Sequence, residues 1–249
     1  MRVKKVSFTG SVPIGKKILA AAAASNLKRV SLELGGKNSA VVFDDADLER
    51  AVVETVESIL QNTGQGCMVC SRVYVQEGVY ERFLKPYRDA IEARAKEFGD
   101  VNDPKTRFDP LVDKLQYDQV EGMVDRGLEQ GDGNLLTSGK PIGDKGFWFP
   151  TTAFIEVAEE SSEIATEEIF GPVSVIMKFK DEDEVIARTN NSEYGLAAGV
   201  LTRDINGALR VAGEFEAGMP GINCISRLFL NTTFGGHKVG WGGSVVLWG

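Results

Sequence analysis

Cysteine is scarce in this chain: three in 249 residues, at positions 67, 70 and 224. So few, so unevenly spaced, exclude a disulfide scaffold, and a reducing cytoplasm is the expected location. Histidine is scarcer still, with His237 alone. The longest strongly apolar run, Ile18 to Ala24, is far too short to span a bilayer. The start, MRVKKVSFTG, lacks the apolar segment of a signal peptide. No membrane partner is expected. Basic residues form no stripe, and 28 Lys and Arg against 36 Asp and Glu leave a formal net charge of -8, which argues against a nucleic-acid surface. There are no low-complexity segments and no internal repeat. What is present is ordinary globular composition, 43% hydrophobic and 26% charged, enough for one large domain or two small ones.

Strand and helix patterns alternate along the chain. Val3 to Phe8 reads as a strand, followed by an Ala-rich helix to about Ser25 with Pro13 in its first turn, where a missing N–H costs nothing. Val30 to Leu34 and Ser39 to Phe43 are short strands. Asp44 and Asp45 are expected to cap the next helix, whose Leu48, Val52, Val56, Ile59 and Leu60 share one face. SRVYVQE is a strand. The helix over 79–98 is expected to break or kink at Pro86. Asp113 to Gln130 reads as helix and NLLTSG as strand. Residues 139–163 read as irregular, with a possible strand at Ala153 to Val157. Val173 to Lys180 is a strand, 181–191 a helix with an acidic first turn, 195–202 a strand, 205–218 a helix and GINC a short strand. Such alternation argues an α/β fold with a mostly parallel sheet.

The stretch NTGQGCMVCSR, residues 62–72, carries the chemistry question. Cys67 and Cys70 have C-x2-C spacing and, with Cys224 and His237, could form a Cys3His zinc site; but there is only one close pair, and the other ligands lie more than 150 residues away. A redox dithiol sits at the start of a helix that follows a strand, whereas here a helix precedes the pair and a strand follows. A Cys–His hydrolase would need His237, 170 positions after Cys67. Two merely buried thiols are the plain alternative. A nucleophile gains from context: Gly64 and Gly66 bend the chain at a helix end, leaving backbone N–H groups near the next thiol. Glu33, at a strand end beside two glycines, is the candidate base.

VSFTGS at 6–11, LELGGK at 32–37, GQGC at 64–67, EEIFGPV at 167–173 and FGG at 234–236 occur in the order found in aldehyde dehydrogenases, and the chain resembles that family from about residue 3 to 238. The 34 residues between Glu33 and Cys67 match the family's separation of base and nucleophile. The resemblance implies an aldehyde-dehydrogenase-like catalytic domain with a mostly parallel sheet flanked by helices, spanning 35–236. It also implies a remnant of the NAD(P)-binding domain at 1–34 and a divergent tail at 237–249. It implies NAD(P)-dependent oxidation of a small-molecule aldehyde to a carboxylic acid, through a thiohemiacetal and a thioester on Cys67, with Glu33 activating water. Gly10 and Ser11 would approach the cofactor, NAD or NADP, near its pyrophosphate and nicotinamide end. Leu34 and Gly35 would lie beside the nicotinamide, Glu168 and Phe170 would grip its ribose, and Phe234 would wall the substrate pocket. No metal is expected. Outside this context Glu168 would read as a solvated charge, and Phe170 and Phe234 as core.

Several positions depart from the family pattern. The chain is about half the family's usual length, so most of the cofactor-binding half and part of the oligomerisation arm are absent; family members are homo-oligomers. A chain so shortened is expected to turn over little by itself. The second reading is a non-catalytic partner that pairs with a full-length relative. Gly66 stands where a side chain is usual, Asp109 where a Gly-Pro turn is common, and Pro220 and Gly221 interrupt an expected strand. Past Lys238 the family's Ser and Arg-Glu are missing. Cys70 and Cys224 are expected to be buried thiols.

Overall fold

The computed structural model describes residues 2–100, 102–137, 146–157 and 162–242. Strand β1 (Lys5–Thr9) leads into helix α1 (Val12–Ala24), and β2 (Arg29–Glu33) returns parallel to β1. β3 (Asn38–Val42), α2 (Leu48–Leu60), β4 (Cys70–Gln76) and α3 (Tyr80–Arg94) follow. Then come α4 (Lys114–Glu129), β5 (Asn134–Leu135), β6 (Thr152–Ile155), the single turn α5 (Glu163–Thr166), β7 (Val173–Phe179) and α6 (Glu182–Asn190). β8 (Tyr194–Gly195), β9 (Ala197–Leu201), α7 (Ile205–Glu214), β10 (Met219–Ile222), β11 (His237–Lys238) and β12 (Trp241–Gly242) complete the order.

Seven strands form one sheet in the order β10-β9-β3-β4-β7-β6-β5, parallel except for β5. Both faces are covered, so its central strands carry continuous apolar runs, at 40–42, 73–75 and 175–177, instead of strict alternation. Successive residues still point to opposite faces. Val73, Val75 and Ile176 pack with Val52, Val56 and Ile59 of α2 and Phe83 and Tyr87 of α3. Tyr74, Val175 and Met177 pack with Val120 and Val124 of α4, Val185 of α6 and Val211 of α7. A second sheet, β1-β2-β12, stands beside it, and β11 pairs with β8. Among the described residues no helix is long and apolar enough to cross a membrane.

Four expectations need correction. Helix α2 is capped by Asp47, whose side chain accepts the Arg50 amide. Asp45 instead accepts from the Thr202 hydroxyl and the Arg203 and Asp204 amides, tying the loop after β3 to the loop after β9. Helix α3 continues through Pro86, so of the expected break or kink the break does not occur; Pro86 is exposed, so water can serve the carbonyl its ring leaves unbonded. Pro220 and Gly221 do not interrupt the strand but lie inside β10, at the sheet edge, where a missing N–H faces no ladder partner. The Gly-Pro turn usual at Asp109 would favour positive φ, but Asp109 does not carry it. Of NLLTSG, Ser138 and Gly139 lie outside the described residues, as do 139–145 and 158–161 of the irregular stretch and 243–249 of the tail.

Candidate active site

The strand β2 ends at Glu33, and LGGK carries the chain across to β3. In parallel sheets this carboxyl-end crevice is where sites assemble. Glu33 is 9% exposed, and its Oε1 has no hydrogen-bond partner among the described residues. Its backbone is held on both sides. Gly10 N–H donates to the Glu33 carbonyl at 3.0 Å, and Leu34 N–H donates to the Gly240 carbonyl at 2.9 Å. β12 pairs with β2 at Trp241 opposite Glu33.

Cys67 arrives from the other side. After α2 the chain reverses through three consecutive left-handed residues, Asn62 (φ 49), Thr63 (φ 54) and Gly64 (φ 72). For two residues with a Cβ this conformation is costly. Local bonds hold it: Asn62 Nδ2 donates to the Gln65 carbonyl at 2.8 Å, and Thr63 Oγ1 donates to the Asp109 carbonyl at 2.8 Å. At Gly64 a Cβ would fall 2.1 Å from the Gly171 carbonyl oxygen, so only glycine fits. The reversal brings the Cys67 thiol close enough to the Glu33 carboxylate that each shifts the other's proton affinity.

The electrostatics of this pair follow from burial. Loss of water pushes the Glu33 carboxyl above its usual range, with the neighbouring Cys67 thiol working the other way. Burial likewise pushes the Cys67 thiol up to about 12, reinforced by Glu33 and Glu168, while its own backbone amide favours the thiolate. The proton therefore rests on sulfur until something relieves the local negative charge.

Glu168 completes the acidic cluster. Its Oε1 accepts the Gly36 amide at 2.9 Å, and a Cβ at residue 35 would lie 2.1 Å from its Oε2. Burial raises it to about 7, with the Gly36 amide and Lys37 opposing. Lys37 is 1% exposed and donates to the Ile164 carbonyl at 2.7 Å; burial first, then Arg72, lowers it to about 7. Sequence reasoning missed Lys37 and also Asn38, which is buried and donates to the Cys67 carbonyl at 2.7 Å. The only signal was their place next to LGG.

The other expected positions are less tightly gathered. Leu34 is buried with its side chain against Gly15 of α1. Ser11 starts α1 with no side-chain cap bond and is exposed. Phe170 is 36% exposed with φ 55, its carbonyl accepting from Gln116 Nε2 at 2.8 Å. Phe234 is half-buried and shares a cavity of about 220 Å3 with Met68, the neighbour of Cys67, and with Leu228 and Phe229. Cys70 is buried as expected; Cys224 is only half-buried, because it lies in the loop past the edge strand β10.

With this geometry in view, comparison with known proteins is direct. The profile of the aldehyde dehydrogenase family matches residues 1–246. The chain is similar to aldehyde dehydrogenase 1 of Tanacetum cinerariifolium, 46% identical over 241 residues, 96% of this chain and 47% of that protein. It is 45% identical to retinal dehydrogenase 2 of Taeniopygia guttata over 240 residues, 96% of this chain and 46% of that one. Among solved structures it resembles an NAD-dependent aldehyde dehydrogenase from Sinorhizobium meliloti, with TM-score 0.91 and 36% identity over 96% of this chain and 47% of the other. A betaine aldehyde dehydrogenase from Staphylococcus aureus in complex with NAD+ gives TM-score 0.91 and 33% identity, over 96% and 47%. The chain thus spans about half the length of the relatives it matches.

Proposed function

Because the chain belongs to the aldehyde dehydrogenase family, we propose that it carries the nucleophile and general base of an oxidoreductase that converts an aldehyde to a carboxylic acid, with NAD or NADP as acceptor. The observation that carries this reading is the proximity of the Cys67 thiol and the Glu33 carboxyl, 34 positions apart in sequence yet close enough to perturb each other.

The Cys67 thiol adds across the aldehyde carbonyl, sulfur to carbon and proton to oxygen, to form a thiohemiacetal, whose hydroxyl proton goes to solvent when the hydride leaves. A carboxyl raised above its usual range by burial is well matched to accepting a proton from water in the second half. The Cys67 backbone amide faces its own sulfur and favours negative charge at that point. In the second half, Glu33 takes a proton from water as that water attacks the Cys67 thioester, and passes it to the departing sulfur. The acid is released and the thiol regenerated. Splitting the oxidation this way replaces one difficult step by two easier ones. Phe234, Met68 and Leu228 supply an apolar wall for the aldehyde.

The residues fit a dinucleotide. The turn at Gly10 leads from β1 directly into α1, a helix start with no side-chain cap and no acidic residue in its first turn, which suits a pyrophosphate. Gly10 and Ser11 would hold that end. Gly35, with the Glu168 carboxylate against it, and Leu34 would flank the nicotinamide, and Glu168 and Phe170 would take the ribose. When bound, the nicotinamide supplies the acceptor for the hydride that the thiohemiacetal gives up. NAD is favoured over NADP by the NAD-dependent and NAD+-bound proteins this chain resembles.

A chromogenic ester tests the pair without cofactor. Peptide mass spectrometry should find the acyl group on Cys67, turning over in the parent chain and accumulating in Glu33→Gln. Acylation confined to Cys224, or no accumulation, would overturn the reading.

A further inference from the structure

Glu33 lies beside the thiol end of Cys67, but something must also fix its backbone. Asn38, the first residue of β3, sits where the β3–β4 ladder is irregular: Asn38 is paired with Cys70, while Ser39 is paired with Arg72. One residue of β4 is therefore extra, a bulge at which a ladder stops and a side chain can be re-aimed. The backbone bonds the ladder loses there are supplied by the Asn38 side chain. Its Nδ2 donates to the Cys67 carbonyl at 2.7 Å and to the Val69 carbonyl at 3.0 Å, and its Oδ1 accepts the Ala197 amide at 2.9 Å. Both N–H donors and the carbonyl are used, in a residue only 2% exposed.

We propose that Asn38 is a positioning residue for Cys67: its amide clamps the two carbonyls of the cysteine turn to β9 and so aims the thiol at Glu33. Two carbonyls converging on one NH2 group fix the peptide plane that follows Cys67, and with it the direction of the Cα–Cβ bond. Gly36 closes the clamp from the other side. A Cβ there would lie 2.3 Å from the Cys67 carbonyl oxygen and 2.9 Å from the Asn38 amide, so backbone and amide are in direct contact. Asp would keep the bond to Ala197 but set carboxylate oxygens against both carbonyls. Ser is too short to span them.

The proposal rests on the reading of Cys67 as nucleophile, and its test separates the two. Iodoacetamide labelling of Cys67 is followed by mass spectrometry in the parent chain, Asn38→Ser, Glu33→Gln and the double variant. Asn38→Ser is expected to raise the Cys67 rate at pH 8 about tenfold or more, because the thiol leaves the burial and the carboxylate that hold its proton. Adding Glu33→Gln to it should then change nothing, whereas Glu33→Gln alone changes the parent. Thr55→Val, which removes a buried hydrogen bond inside α2, should leave the Glu33–Cys67 coupling intact. An Asn38→Ser chain that keeps the parental rate and the Glu33 dependence overturns the proposal. Failure of Glu33→Gln to act in the parent chain would overturn the nucleophile reading instead. If Asn38→Ser does not fold, the unaltered chain decides by NMR. The Asn38 side-chain amide protons should be protected from exchange and should shift when Cys67 is alkylated; free exchange and no shift overturn the clamp.

Discussion

The Glu168 carboxylate and the Gly36 amide meet at 2.9 Å across 132 residues of sequence, and this contact presses an acid against the backbone that links Glu33 to Asn38. Gly35→Ala puts a Cβ where Oε2 lies. The long side chain can swing away, so the expected result is loss of the Gly36 bond without unfolding. The cost should be about 1–3 kcal/mol, typical of a hydrogen bond to a charged group, measured by urea denaturation.

Glu168 and Lys37 make stability depend on pH in opposite directions. Glu168 is raised from 4.5 to about 7, so the folded chain holds a proton there that the unfolded chain has released; its contribution falls as pH rises from 4.5 to about 7. Lys37 is lowered from 10.5 to about 7, so the unfolded chain binds the extra proton, and its contribution rises between about 7 and 10.5. Glu168→Gln should flatten the acidic slope and Lys37→Met the alkaline one, in urea midpoints taken across the range. Unchanged slopes in both would refute the assignment.

Glu33→Gln should do two opposite things. The negative charge that helps keep the Cys67 proton in place is gone, so alkylation at pH 8 speeds up. Deacylation slows, because no base activates water, and a loss of about 100-fold or more is expected for a missing general base. Paired alkylation and ester-turnover rates check this.

The two glycines of GQG should respond differently. Gly64→Ala meets both positive φ and the Gly171 backbone, and should cost about 3 kcal/mol or more. At Gly66 the nearest contact of an added Cβ is Val69 Cγ2 at 3.2 Å, with no positive φ, so Gly66→Ala should stay within about 0.5 kcal/mol of the parent. Thermal melts of the two variants give the comparison.

Alternating apolar strands and amphipathic helices made the α/β order legible, because burial on both sheet faces leaves a local imprint. Glu33 and Cys67 were singled out by their motifs and their spacing. Asp47, rather than Asp44 or Asp45, caps α2 because Asp45 is claimed by amides near residue 203, a partner no local pattern announces. Asn38 was invisible for the same reason: its bonds run 29, 31 and 159 residues away. Pro86 and Pro220 misled because exposure and edge position, which decide whether a missing N–H matters, belong to tertiary structure.

The antiparallel pairing of Trp241 and Gly242 with the Glu33 end of β2 has a consequence for biogenesis. During synthesis the strand that bears Glu33 is made about two hundred residues before this neighbour. Loop closure over such a separation is slow, so the edge of β2 next to Glu33 stays unpaired until translation has passed residue 242. A nascent chain arrested before that point should expose this edge to chaperones while its larger sheet is already formed.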